Sequence, residues 1–84
     1  MVLSVNVEMT NGGNKMKISA RNVLKGKVVK VVKGAVNSEV IMELAGGAQV
    51  VSIITNSSAE HLGLKDGVEA LAVIKASNVM IAVD

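Results

Sequence analysis

Between residues 28 and 55 the apolar side chains come in short β-branched bursts separated by glycine and polar residues, and this spacing sets the expected elements. Val28, Val29, Val31 and Val32 make one strand candidate, residues 36–44 a second and residues 50–55 a third. Lys33-Gly34 and Ala45-Gly46-Gly47 punctuate them, so the three read as an antiparallel meander. After a turn at Leu64-Lys65-Asp66-Gly67, residues 68–74 and 79–83 supply two more strands. Ahead of that turn, Ser57-Ser58-Ala59-Glu60 matches the capping box, in which a serine hydroxyl and a glutamate three residues later each satisfy a free N–H at a helix start. Gly63 stands where it would end the helix after a single turn.

Upstream, residues 3–9 alternate strictly, with Leu3, Val5, Val7 and Met9 apolar and Ser4, Asn6 and Glu8 polar, the period of a half-buried strand. Asn11-Gly12-Gly13 breaks the pattern before Met16. The compact domain is therefore expected over residues 16–84, with residues 1–15 an N-terminal extension that is either flexible or an added strand. No internal repeat of solenoid length is visible. The expected fold is all-β: a small OB-fold-like β-barrel of five or six strands with one short helical turn. Closure of that kind hides the strand edges that a chain rich in Val and Ile would otherwise expose.

Composition narrows the picture. The 84 residues favour one domain, half of them are hydrophobic and none is aromatic, so the core is aliphatic and small. With no cysteine to form disulfides, further burial is expected from homo-oligomerisation. The same absence removes thiolate metal sites, and a single histidine argues against a classical zinc site. No apolar run approaches the length of a membrane span, and the first fifteen residues lack a basic segment followed by an apolar core, so a soluble, cytoplasmic protein is expected with no membrane partner. The net charge of +2 is a mild bias. Single-strand nucleic-acid binding by OB-type barrels rests on aromatic stacking platforms in a basic groove, and this chain has no aromatic residue, which argues against a nucleic-acid partner.

The candidate chemistry lies in two similar runs, KISARN at residues 17–22 and IKASNV at residues 74–79. Ser19 and Arg21 offer a hydroxyl and a guanidinium suited to tetrahedral oxyanion oxygens. Lys75 adds a point charge, and Ser77, two residues on, would face the same side of a strand. With Thr55 at the end of the third strand, the set holds three hydroxyls and two cations and no carboxylate, a composition able to host a dianion. From spacing alone, solvated polar residues at strand ends are the commoner explanation of either run. His61 has no second histidine or nucleophile beside it, the five methionines share no spacing, and neither glycine pair fits a P-loop or dinucleotide frame. No nucleophile–base pair appears, so an enzyme is not expected.

In order along the chain, KISARN, LKGKVV, KGAVNSEV, SIIT, LGLKDG and VIKASNVM closely resemble the molbindins, the molybdenum-pterin-binding proteins built from a Mop/TOBE-like domain. The resemblance runs from about Met16 to the end. It implies an OB-like barrel that assembles as a hexamer, a trimer of dimers, and binds molybdate or tungstate at subunit interfaces without a cofactor. The family's site, carried onto this chain, takes Ser19, Ala20 and Arg21 from one subunit with Thr55, and Lys75, Ala76 and Ser77 from another. Gly34, Ala35, Val36 and Asn37 are similar to segments near further anion sites on the threefold axis. The implied function is intracellular molybdate or tungstate storage and homeostasis by reversible binding; the alternative is a regulatory or structural oligomerisation module of molybdate transport or sensing. Family members begin at the equivalent of Met16-Lys17, so residues 1–15 depart from the pattern.

Overall fold

The computed structural model describes residues 17–84; the alternation over residues 3–9, the break at residues 11–13 and the domain start at Met16 lie outside the described residues. In chain order the elements are β1 (Asn22–Lys33), β2 (Asn37–Leu44), β3 (Gln49–Thr55), α1 (Asn56–His61) and β4 (Glu69–Ile74), followed by a 3-10 turn at Ala76–Asn78. The strands form one sheet in the order β3-β2-β1-β4, with β1–β2 and β2–β3 antiparallel, as the meander reading requires. The chain divides into a sheet unit, Lys25–Ala72, and a terminal unit whose described residues are 17–24 and 73–84.

Within the sheet unit, the core is Val28, Val40 and Met42, with Val31, Ile54, Leu64, Ala70 and Ala72 packed against it. Fully burying an aliphatic side chain of this size contributes about 1.5–3 kcal/mol, so these few residues carry the unit. Val28 and Val31 both face the core although they stand three positions apart, which a strict two-residue alternation forbids. A β-bulge resolves the conflict: Val28 pairs with Met42 and Lys30 with Ile41, leaving Val29 as the extra residue. Strand β1 is also longer than the valine cluster suggests: it starts at Asn22, and Gly26 and Lys27 pair with Leu44 and Glu43 ahead of the valines. Gly26 sits opposite Leu44 where the strands approach closely; a Cβ there would stand 2.6 Å from the Glu43 carbonyl oxygen.

The helix starts two residues earlier than the capping-box reading placed it. Thr55, still extended at φ −69° and ψ 153°, is the N-cap, and its hydroxyl accepts the Ser58 N–H at 3.0 Å. Glu60 does not return to the helix start; its carboxylate meets Lys33 Nζ at 3.7 Å. The C-terminal end follows expectation. Gly63 adopts φ +67°, its N–H donates to Glu60 O, and the Leu64 N–H donates to Ala59 O, a paired closure that needs the left-handed region at Gly63. Leu64 is thereby delivered to the core cluster.

In the terminal unit Ala20 and Val23 are buried. The strand expected over residues 79–83 is not present. Asn78 N–H turns back to Lys75 O at 2.9 Å and Val79 N–H to Ala76 O at 3.3 Å, and the chain beyond carries no regular structure. Met80, Ile81 and Val83 are 92%, 86% and 91% exposed, so neither face of the run has anything to pack against, and a strand without pairing or burial has no source of stability. Four strands are therefore found among the described residues, where five or six were expected.

Candidate functional site

Both polar runs belong to the terminal unit. Asn22 Nδ2 donates to the Ile74 carbonyl at 3.2 Å, joining the residue that follows Arg21 to the residue that precedes Lys75. Ser19, Ala20 and Arg21 thus lead into that hydrogen bond, and Lys75, Ala76 and Ser77 lead out of it, within one chain. Ala20 is the buried anchor of its run and leaves Ser19 and Arg21 exposed on either side. Lys75 is extended and exposed at the mouth of the 3-10 turn. Ser77 lies inside that turn, so it does not share a strand face with Lys75 as alternation suggested; the turn's i→i+3 hydrogen bonds rotate it away from the strand register. The first N–H groups of such a turn have no acceptor within it, which adds main-chain donors at Ala76 and Ser77 to the side-chain ones.

Thr55 belongs to the sheet unit, at the junction of β3 and α1. Its hydroxyl accepts the Ser58 N–H and lies 2.9 Å from Ser58 Oγ, with which it is hydrogen-bonded. The next residue holds the segment 34–37. The Asn56 N–H donates to Val36 O at 2.8 Å, its Nδ2 donates to Gly34 O at 2.9 Å, and its Oδ1 accepts from the buried Ser38 hydroxyl at 2.5 Å. Neither Asn56 nor Ser58 was singled out as a site neighbour from sequence. The available signal was the run Thr55-Asn56-Ser57-Ser58, four residues whose side chains bond readily to nearby main chain. A cavity of about 200 Å³ opens beside this junction, lined by Lys33, Ser38, Asn56 and Glu60 over Val31, Ala59 and Leu64, and it includes none of the oxyanion candidates.

Charge is divided unevenly. The described terminal unit holds Lys17, Arg21 and Lys75 against one carboxylate side chain, Asp84, whereas the sheet unit balances five lysines with five acidic residues. The uncompensated positive charge thus accompanies the two runs. Among the described residues no group of three or more His, Cys, Asp or Glu is placed to hold a metal cation. Hydroxyls, amide N–H groups and fixed cations without a carboxylate can grip an anion; they offer no general base beside a nucleophile.

The TOBE domain family model matches residues 18–81. With relatives named as molybdenum-pterin-binding proteins at 46–61% identity, the chain belongs to the molbindin family. It is 61% identical over 66 residues to molybdenum-pterin-binding protein 3 of Clostridium pasteurianum, an alignment covering 79% of this chain and 97% of that protein. Its fold is similar to that of apo MopII from Clostridium pasteurianum, with a TM-score of 0.75, 54% identity, and coverage of 80% of this chain and 100% of that one. It is also similar to the cytoplasmic molybdate-binding protein ModG, solved with molybdate bound, with a TM-score of 0.76 and 49% identity over 77% of this chain and 46% of that one. The first and last of these relatives are binding proteins by name. In the described residues of this chain no helix is long and apolar enough to cross a membrane.

Proposed function

We propose that this protein binds molybdate or tungstate reversibly, for storage and homeostasis of the oxyanion in the cytoplasm, and performs no chemistry on it. The observation that carries the proposal is the hydrogen bond between Asn22 and Ile74, which gathers the donors of two distant runs into one unit where positive charge is in excess. Ser19, the main chain at Ala20, Arg21, Thr55, Lys75, the main chain at Ala76, and Ser77 are the proposed ligands. They supply acceptor oxygens of the anion with neutral and cationic donors, and in a pocket partly withheld from water such bonds strengthen. Discrimination against phosphate follows from the lack of a carboxylate to accept its proton.

The site is proposed to be completed at interfaces of a homo-oligomer, a hexamer built as a trimer of dimers. Exposed apolar side chains in both units support self-association: Val51 and Ile53 on the edge strand β3, and Met80, Ile81 and Val83 in the terminal unit. In that assembly the full OB-like barrel is proposed, with residues 79–83 as the source of a further strand. Residues 34–37 are proposed to serve a second class of anion site.

Native mass spectrometry of the full chain with and without sodium molybdate tests both parts together. The expected result is a hexamer that gains a fixed number of oxyanions per subunit, with tungstate competing. A monomer that gains no mass from either oxyanion would end the proposal.

A further inference from the structure

Strand β2 divides its side chains cleanly: Ser38, Val40 and Met42 are buried, and alternation sends Glu39, Ile41 and Glu43 to the other face of the sheet. The strand register carries that outer face across both neighbours. Glu43 stands opposite Lys27 of β1 and Gln49 of β3, Ile41 opposite Lys30 and Val51, and Glu39 opposite Val32 and Ile53. Residues opposite one another in an antiparallel pair share a face. On β4, Ala70 and Ala72 pack against the core, so Leu71 between them joins the outer face. In sheet order from β3 to β4, the columns of that face are apolar at Val51 and Ile53, acidic at Glu39 and Glu43, basic at Lys27 and Lys30, and apolar again at Leu71. Val32, Val51 and Ile53 are exposed. Neither of these lysines forms an ion pair with either glutamate within the chain; the ion pair of this unit joins Lys33 to Glu60 instead.

A column order of apolar, acidic, basic, apolar is its own complement under a half-turn. Rotating a second copy about an axis that runs along the strands between β1 and β2 puts its basic column over the acidic one, and its β4 over β3. We propose that this outer face is the contact through which two copies of the chain pair. Lys27 of each copy then meets Glu43 of the other, and Lys30, whose stem crosses Ile41, reaches Glu39. Leu71 covers Val51 and Ile53. Packed sheets keep their strand directions within about 30° of each other, so the columns stay over one another along these rows. The contact is isologous, one patch used by both partners, as in the commonest oligomers. Unpaired charges of both signs beside exposed aliphatic side chains point to a second copy as the occupant, because its own face carries the matching order. This contact rests on the reading of the protein as a homo-oligomer, for which it supplies the two-fold surface. Thr55 follows Val51 and Ile53 on the same side of β3, opposite Asn37, so a copy seated there borders one of the proposed oxyanion ligands.

The test uses two charge-reversed forms of the full chain, Lys27→Glu with Lys30→Glu and Glu39→Lys with Glu43→Lys, followed by sedimentation velocity, native mass spectrometry and circular dichroism. Each form alone sets like charges against each other and should raise the dissociation constant of pairing by at least about a hundredfold. An equal mixture of the two forms sets opposite charges together again and should recover paired assemblies containing both chains in equal number. Val51→Thr with Ile53→Thr, which keeps β-branched residues on the edge strand, should weaken pairing by about tenfold with an unchanged strand spectrum. Wild-type subunit numbers in both charge-reversed forms overturn this contact while leaving the homo-oligomer standing on another surface. Folded charge-reversed forms that stay apart when mixed overturn the two-fold arrangement. If a charge-reversed form loses its strand spectrum, the threonine form decides, and wild-type pairing there overturns the contact. A wild-type chain that is monomeric at every concentration removes the oligomer reading itself, and this contact with it.

Discussion

The sheet unit and the terminal unit are built on opposite principles. In the sheet unit the ladder and a small aliphatic core satisfy most of what the chain offers, and its charges cancel. In the terminal unit only Ala20 and Val23 are buried among the described residues, its charges do not cancel, and its last apolar side chains face solvent. Stability is thus concentrated in one stretch of chain and most of the proposed oxyanion ligands in the other. Such a division lets polar donors remain unsatisfied within one chain without compromising its fold.

The sharpest way to break this comparison is to place the same charge in each unit. Val28 is fully buried between Val40 and Met42, and an ionised carboxylate there has no partner. Val28→Asp should cost several kcal/mol, comparable with the whole stability of a small domain, and abolish the cooperative thermal transition followed by circular dichroism. Ile81→Asp, at a position 86% exposed, should leave the strand signal of β1, β2 and β3 in place, its effect falling instead on the proposed self-association. Equal collapse of both variants would mean that the terminal segment belongs to the core after all.

A smaller effect, on affinity and not on folding, is expected from the reverse pair. Lys75→Ala and Ser77→Ala should each weaken molybdate binding by about tenfold, or ~1.4 kcal/mol, with the melting temperature unchanged. Lys65→Ala removes an equal charge from an exposed turn of the sheet unit and should leave affinity as it is. If Lys65→Ala and Lys75→Ala weaken binding alike, the ligand senses net charge only and the division between the units does not locate the site.

What could be read from the chain beforehand follows the same division. Strands β1, β2 and β3 were legible because β-branched bursts and glycine-containing breaks act locally, and the helix end was legible because Gly63 is needed for its left-handed turn. The bulge at Val29 was not, since an extra residue looks like a flaw in the alternation until the partner strand is known. The helix start was misplaced because Ser57 and Glu60 satisfy the capping pattern as well as Thr55 and Ser58 satisfy the geometry. Residues 79–83 have a strand's composition, but composition cannot supply the neighbour that a strand must pair with. Among the candidate ligands, Ser19, Arg21, Thr55, Lys75 and Ser77 stand out by donor type, whereas Ala20 and Ala76 rest on resemblance alone. Their hydrogen-bonded neighbours, Asn22, Asn56 and Ser58, became visible only when Ile74, Gly34 and Thr55 were placed beside them.

The smallest predicted effect concerns the charge balance of the sheet unit itself, which invites the idea that its ions hold it together. Lys33 and Glu60 form the ion pair described there, at 3.7 Å, but their side chains are 67% and 73% exposed, so water screens the attraction and both long side chains lose freedom in making it. A double-mutant cycle with Lys33→Ala and Glu60→Ala, read by thermal and urea unfolding, should give a coupling below about 0.5 kcal/mol that vanishes in high salt. A coupling of about 1.5 kcal/mol or more would show that the pair fastens α1 to the hairpin end of β1. Neutrality in the sheet unit would then be structural, and the positive excess of the terminal unit could no longer be read simply as what remains after folding is satisfied.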